Sequence, residues 1–434
     1  MRLAALEDRA PVPTAGVDQA LLAHLCRCTG WQTVEEAAAR LLGGSPGPAA
    51  PDDRDLGAAA RRAGLEGGSP QRVGPDVALG RGGFADDDAP AGALVAVPDP
   101  DGGYAVAPTL REARALAGKV QGRRTTVPPG RPVAVAPGAW ALTLVTAWVE
   151  PAYVEPDASW CAPGGIPSSP LANGGAFGGK RRSPVADDAR RLADGHGRPV
   201  RVLWSREDVV RLGPKRPPVA VGMAADGTGV LRIGIPGRPW DDAELAAARA
   251  AVAAVAPGLV VEQVPVAGPP VAPDLRGAVW AEAAVVAAAR RAGGVPGTPV
   301  VGVPVEVVSP AGGRAVATCR EDGSVALGVD GGEALDPVVL RSYAIGAAHQ
   351  ALGWVTSEGL AVDVDGTVGD LTVRSFGVLA ARSTPPIDVA VVDRPGAEPV
   401  NASDAAFAAV AAARWLADGL APAWPTGTVP PHPG

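Results

Sequence analysis

Four stretches rich in alanine and valine, at residues 241–255, 278–292, 337–352 and 401–417, constrain the fold most. Each is bounded by glycine, proline or an N-capping residue and reads as a helix of ordinary length. Apolar segments at 303–308, 315–319, 360–364 and 387–392 fall between them and read as strands. Earlier, alternating segments at 139–149 and 200–204 read as strands, with an amphipathic helix at 185–193 between them. The pattern predicts an α+β fold, and no repeat of fixed period interrupts it.

The first part of the chain is organised differently. Leu21, Leu22, Leu25, Val34, Ala37, Ala38, Leu41 and Leu42 recur every three to four residues, and Gly30 breaks the series, which predicts two short helices joined by a turn. Residues 43–51 then become Gly, Ser, Pro and Ala, the composition of a linker. We therefore divide the chain into residues 1–45, a linker at 46–75 carrying a short helical pattern at 56–63, and a large region at 76–434.

With 434 residues, 47% of them hydrophobic, the chain can bury a substantial core. Only 4% are aromatic, so alanine and valine must supply most of its bulk. A net charge of −7 argues against a nucleic-acid or anionic-membrane surface, which needs clustered Lys and Arg. Neither a signal-peptide pattern nor a membrane-spanning apolar run is present, so the expected location is cytoplasmic. Cys26, Cys28, Cys161 and Cys319 are too few and too scattered for a disulfide framework.

Two motifs carry chemistry. Leu25-Cys26-Arg27-Cys28-Thr29-Gly30-Trp31-Gln32 places two thiols one residue apart in a turn at a helix end, where thiolates suit iron–sulfur clusters or zinc. Asn173-Gly174-Gly175-Ala176-Phe177-Gly178-Gly179-Lys180 is a glycine loop whose bare backbone can approach a bulky group closely. It also satisfies most of a P-loop pattern, but Arg181 stands where Ser or Thr should bind Mg²⁺, and residues 166–173 do not read as a buried strand.

The first motif resembles the helical [2Fe–2S] domain of the xanthine dehydrogenase and aldehyde oxidase family, and the second resembles the glycine loop of that family's molybdopterin-binding large subunit. The second likeness continues through Gly197-Arg198-Pro199-Val200-Arg201, Trp204-Ser205-Arg206-Glu207-Asp208 and Gly213-Pro214-Lys215-Arg216-Pro217. Fainter likenesses lie at Gly80-Arg81-Gly82-Gly83-Phe84-Ala85-Asp86-Asp87, at Glu150-Pro151 and at Leu275-Arg276-Gly277-Ala278. The resemblance implies an α/β molybdopterin-binding region in reduced form, with Gly174, Gly175, Phe177, Gly178 and Gly179 at the cofactor, Arg276 as a catalytic candidate, and Cys26 and Cys28 as metal ligands.

Several departures point away from turnover. The family's upstream Cys-x-x-Cys is missing, so two cluster ligands would have to come from Cys161 and Cys319 or from another chain. The cofactor-contacting Gln before the glycine loop is missing as well. Where the family has Gly-x-Gly-x-Gly-Glu, whose Glu is the general base, this chain reads Ala397-Glu398-Pro399-Val400-Asn401-Ala402-Ser403-Asp404. Proton abstraction needs a base within hydrogen-bond reach. His24, His196 and His349 read as surface or structural residues, and no nucleophile motif of the Gly-x-Ser-x-Gly type occurs.

The expected function is a non-catalytic or accessory subunit partnered by a longer molybdenum hydroxylase subunit or an iron–sulfur subunit. The alternatives are an active molybdenum-dependent oxidoreductase that hydroxylates an N-heterocycle or an aldehyde, and a decayed fusion product without a selected role.

Overall fold

In the computed structural model, the described residues are 3, 5–6, 14–22, 24–42, 53–118, 122, 128–149, 156–174, 177–372 and 375–428. The N-terminal hairpin consists of α1 (Thr14–Leu21) and α2 (Gln32–Leu42), with the Cys-x-Cys turn between them. Its own core is small: Val17, Leu21, Trp31, Ala38 and Leu42 close on one another and on Ala381.

The segment read as a linker carries a well-formed helix, α3 (Leu56–Gly67), followed by the short α4 (Pro75–Ala78). Asp55 caps α3 by accepting from the backbone N–H groups of Gly57 and Ala58, and Gly68 ends it in the left-handed conformation. The helical pattern expected at 56–63 thus forms as α3, with Ala59, Arg62, Ala63 and Glu66 buried.

A first sheet has the order β2-β1-β5-β4, built from β1 (Leu94–Pro98), β2 (Tyr104–Ala107), β4 (Asp157–Cys161) and β5 (Val200–Trp204). Helices α5 (Leu110–Ala117) and α6 (Val185–His196) pack on it, and α7 (Arg206–Leu212) follows β5 with a Ser205–Asp208 capping box. A second sheet, of order β3-β6-β7-β8, uses β3 (Leu142–Val145), β6 (Val219–Met223), β7 (Gly229–Pro236) and β8 (Leu259–Val266). Its one parallel pair, β7 with β8, is joined through α8 (Asp242–Val255), the length a crossover requires.

Beyond α9 (Trp280–Arg291), the third sheet has the order β12-β11-β10-β9: β9 (Val305–Val308), β10 (Arg314–Cys319), β11 (Val325–Asp330) and β12 (Ile387–Val392). The crossover from β11 to its parallel neighbour β12 runs through α10 (Pro337–Thr356). The last helix, α11 (Ser403–Ala417), has thirteen of its fifteen residues buried, so it lies inside the core rather than upon it. Alanine makes this possible, because small side chains let α9, α10 and the third sheet close around α11 on all sides.

The strand expected at residues 360–364 does not form. Leu360 and Val362 are buried in a separate small core; Val362 makes an isolated bridge to Val368, and Leu360 donates its N–H to the Trp148 carbonyl and accepts from the Gly130 N–H. Among the described residues, no helix is long and apolar enough to cross a membrane.

Candidate functional site

The Cys-x-Cys turn lies directly on α10. A Cβ on Gly30, whose φ is +54°, would sit 2.9 Å from Ile345 Cγ2, and a Cβ on Gly346 would sit 2.2 Å from the Cys28 carbonyl oxygen. Glycine on both sides is what permits this approach. Arg27 is buried and pairs with Glu358 at 2.5 Å. Arg341 of α10 grips Glu36 of α2 through both carboxylate oxygens, and Gln32 exchanges two hydrogen bonds with the backbone of Ile387.

The two thiols diverge in environment. Cys26 is half-buried, with Sγ 3.2 Å from Thr29 Oγ1, whereas Cys28 is exposed and opens onto a cleft. Cys161 is buried in the core between the first sheet and α6, and Cys319 in the core around α11. Burial pushes the Cys319 thiol up to about 12. Two more ligands for a four-thiolate cluster are therefore not supplied by these cysteines. Among the described residues, no group of three His, Cys, Asp or Glu could hold a metal ion.

The glycine loop is pressed against the segment that precedes α9. Gly178 has φ +98°, and a Cβ there would lie 1.9 Å from the Asp274 carbonyl oxygen. The Arg276 N–H donates to the Phe177 carbonyl at 2.8 Å, holding Phe177 at a φ of +46°, unusual for a side-chain-bearing residue. Gly174 and Gly179 flank this turn, and Gly175 lies outside the described residues. Lys180 is buried and donates to the Gly174 carbonyl at 2.9 Å. With the ammonium directed at the loop's own backbone, and no strand leading into the loop, a P-loop geometry is not formed.

Arg276 is the hub of the site. Its guanidinium stacks 4.4 Å from the Phe177 ring centroid and donates to Asp404 Oδ1 at 3.0 Å, Ser403 Oγ at 2.9 Å and Gln350 Oε1 at 3.3 Å. Behind it, Arg216 forms a bidentate pair with Glu282, both bonds 2.9 Å, and also donates to the carbonyls of Arg276 and Gly277. Burial raises the Glu282 carboxyl above its ordinary range, and the Arg216 charge opposes that rise. Trp354 covers the Arg216 guanidinium at 4.2 Å.

The start of α11, where the resemblance implies a base, is closed by a residue from α3. Ala402 at the N-cap has no side-chain oxygen to offer, and the Glu66 carboxylate accepts from the N–H groups of Ala402 at 3.2 Å and Ser403 at 2.9 Å. Arg62, fully buried, pairs with Glu66 at 3.1 Å and donates to the carbonyls of Ala334, Gly331 and Val400. Nothing in the local sequence signals this pairing across more than three hundred residues. Asn401 adds a local cap, its Oδ1 accepting from the Asp404 N–H at 3.0 Å.

Glu398 is exposed and takes no part. His349 is buried in α10 with Nε2 3.2 Å from the Leu379 carbonyl, and burial first, then the Arg27 charge, lowers its pKa to about 4. His24 and His196 are exposed.

Phe177 lines a small cleft of about 10 Å³ with Arg27, Arg276 and Glu358, and two larger ones. One, of about 210 Å³, is lined by Cys28, Gln71, Gly174, Phe177 and Tyr343 among others. The other, of about 290 Å³, shares Gly67, Phe177 and Gly178 with the first and adds Glu66, Arg276 and Asp404. Tyr343 and Gln71 had no signal in the sequence.

No protein-family model matches the chain, and no curated protein matches it. Among solved structures, the aldehyde oxidoreductase of Desulfovibrio gigas is similar with a TM-score of 0.55 at 12% identity, covering 96% of this chain and 88% of that one. The aldehyde oxidoreductase of Desulfovibrio desulfuricans gives a TM-score of 0.57 at 12% identity over 95% and 85% of the two chains. The fold resembles that of these oxidoreductases. At this identity the likeness concerns the fold alone.

Proposed function

We propose that this chain is a non-catalytic relative of the molybdenum hydroxylases that serves as an accessory or assembly partner of a longer, active subunit. One observation carries the reading: the side chains that surround Phe177 are engaged with one another. Arg276 is tied to Asp404, Ser403 and Gln350, and Glu66 closes the start of α11. Among the described residues, the carboxylates there, Glu66, Glu282, Glu358 and Asp404, are each paired with an arginine rather than set as a general base. The chain's own cysteines do not complete a [2Fe–2S] site, and the clefts do not fit a molybdopterin centre with its base, so we route no reaction step through either group. A preserved scaffold with its charged groups turned inward fits an interface role, because packing and chemistry depend on different positions.

Affinity purification of the full chain from its native host tests this. Near-stoichiometric co-elution of a longer molybdenum hydroxylase subunit or an iron–sulfur subunit is expected. Elution alone favours a relic without a selected role. The stacking of Arg276 on Phe177 beside two clefts favours a second reading, an active oxidoreductase acting on an N-heterocycle or an aldehyde. Substrate-dependent dye reduction by the purified chain would establish it.

A further inference from the structure

We infer that the small cleft between Arg27, Arg276 and Trp354 binds one monatomic anion, chloride, and that this ion ties the N-terminal hairpin to α10. The inference goes beyond the accessory reading and stands whether or not the chain turns over a substrate.

Unpartnered donors make the first argument. Arg27 and Trp354 both line the cleft, and each is only 2% exposed. Among the described residues, neither the Arg27 Nε–H nor the Trp354 Nε1–H meets an acceptor. A buried donor left so is costly, and native structures leave few of them. Neither group is free to turn away. The Arg27 guanidinium is held by Glu358 at 2.5 Å, and the Trp354 ring is stacked on Phe407 at 4.9 Å and meets Trp424 edge-on at 4.7 Å.

Charge makes the second. Three guanidinium groups line the cleft, those of Arg27, Arg216 and Arg276, against one carboxylate among the described residues, Glu358. Glu282 and Asp404, which pair with Arg216 and Arg276, lie outside the lining. Gln350 offers its Oε1 to Arg276, and Val149, Leu275 and Phe407 are apolar. The potential inside is therefore positive, and buried surroundings screen it weakly. That field offsets the cost of taking an anion out of water.

Size makes the third. The room, about 10 Å³, is about that of one water-sized sphere, which rules out a carboxylate, a phosphate or an organic guest. A water there brings two O–H donors to walls that already hold a surplus of donors, whereas a halide only accepts. The ion also joins distant segments, since Arg27 belongs to the Cys-x-Cys turn, Arg276 precedes α9 and Trp354 lies in α10.

The test compares the full chain in potassium chloride and in potassium gluconate at equal ionic strength, gluconate being too large for the cleft. Hydrogen exchange in residues 24–42 should slow about tenfold once chloride reaches about ten times its dissociation constant, and gluconate should leave it unchanged. Arg27→Lys keeps a cation opposite Glu358 but removes the Nε–H; Trp354→Phe keeps a stacked ring but removes the indole N–H. Each should weaken the chloride dependence about fivefold or more. In crystals of the unaltered protein grown in chloride, a long-wavelength anomalous map should show a chlorine peak in the cleft, a readout that needs neither variant to fold.

Equal protection in the two salts overturns the inference. Protection that both variants retain in full overturns it too, because the ion then sits elsewhere. A cleft without an anomalous peak, filled by water, overturns it as well.

Discussion

The interior around α11 and the junction around Phe177 are both buried, yet they are held together by opposite means. In α11 the contacts are made by alanine, valine and three larger apolar residues, Phe407, Trp415 and Leu416, with no ion pair along its middle. At the junction, four arginines from distant segments each meet a carboxylate: Arg27 with Glu358, Arg62 with Glu66, Arg216 with Glu282, and Arg276 with Asp404. The difference shows how a scaffold can outlast its chemistry. Apolar packing tolerates small exchanges of similar volume, whereas buried charges once paired cannot be exposed singly without large cost.

The largest effect should follow from breaking the deepest pair. Arg216→Met leaves Glu282 fully buried without its cation and should destabilise the chain by about 3–5 kcal/mol in urea unfolding. A loss under about 1 kcal/mol would place the stability of this region in apolar packing instead. Next, Arg27→Met should cost about 3 kcal/mol and speed hydrogen exchange in the N-terminal hairpin, with the double variant Arg27→Met/Glu358→Met recovering much of the loss. If exchange rises equally in α11, the two regions are not separate and the contrast fails.

In the apolar region, Ala409→Gly should cost only about 1 kcal/mol, the ordinary helix-interior penalty. A cost matching that of Arg216→Met would erase the distinction between the two regions. The smallest effect concerns pH. Burial, with the nearby carboxylates of Asp18 and Glu36, lifts the Glu35 pKa from 4.5 to about 7. Because the folded hairpin holds this proton more tightly than the unfolded chain, its contribution is complete below pH 4.5 and is lost as pH rises through 7. Glu35→Gln should flatten that slope in pH-dependent thermal melts of the hairpin signal.

Much of the helical scaffold was legible because its patterns are local. The segments read at 241–255, 278–292, 337–352 and 401–417 correspond to α8, α9, α10 and α11, shifted by a few residues at their ends. Glycine, proline and N-capping residues mark those ends without reference to the rest of the chain. Residues 360–364 misled because an apolar run can be buried as irregular chain when no neighbouring strand offers it a ladder. The helix in the supposed linker was only half visible, since its stability comes from Arg62 and Glu66 meeting partners near residues 331–334 and 400–403.

Site residues divide in the same way. Gly178 was identifiable, since repeated glycines announce a close approach, here to the Asp274 carbonyl. The stacking of Arg276 on Phe177 and the capping of α11 by Glu66 depend on tertiary contacts between remote segments, and no periodicity records them.

Metal analysis of the full chain, purified without chelators from its native host and read together with its visible absorption spectrum, tests the central claim most directly. The account predicts far less than one molybdenum and one iron per chain, with no iron–sulfur absorption bands. About one molybdenum and about two irons per chain would contradict it, and would mean that the groups paired in this structure open to admit both centres.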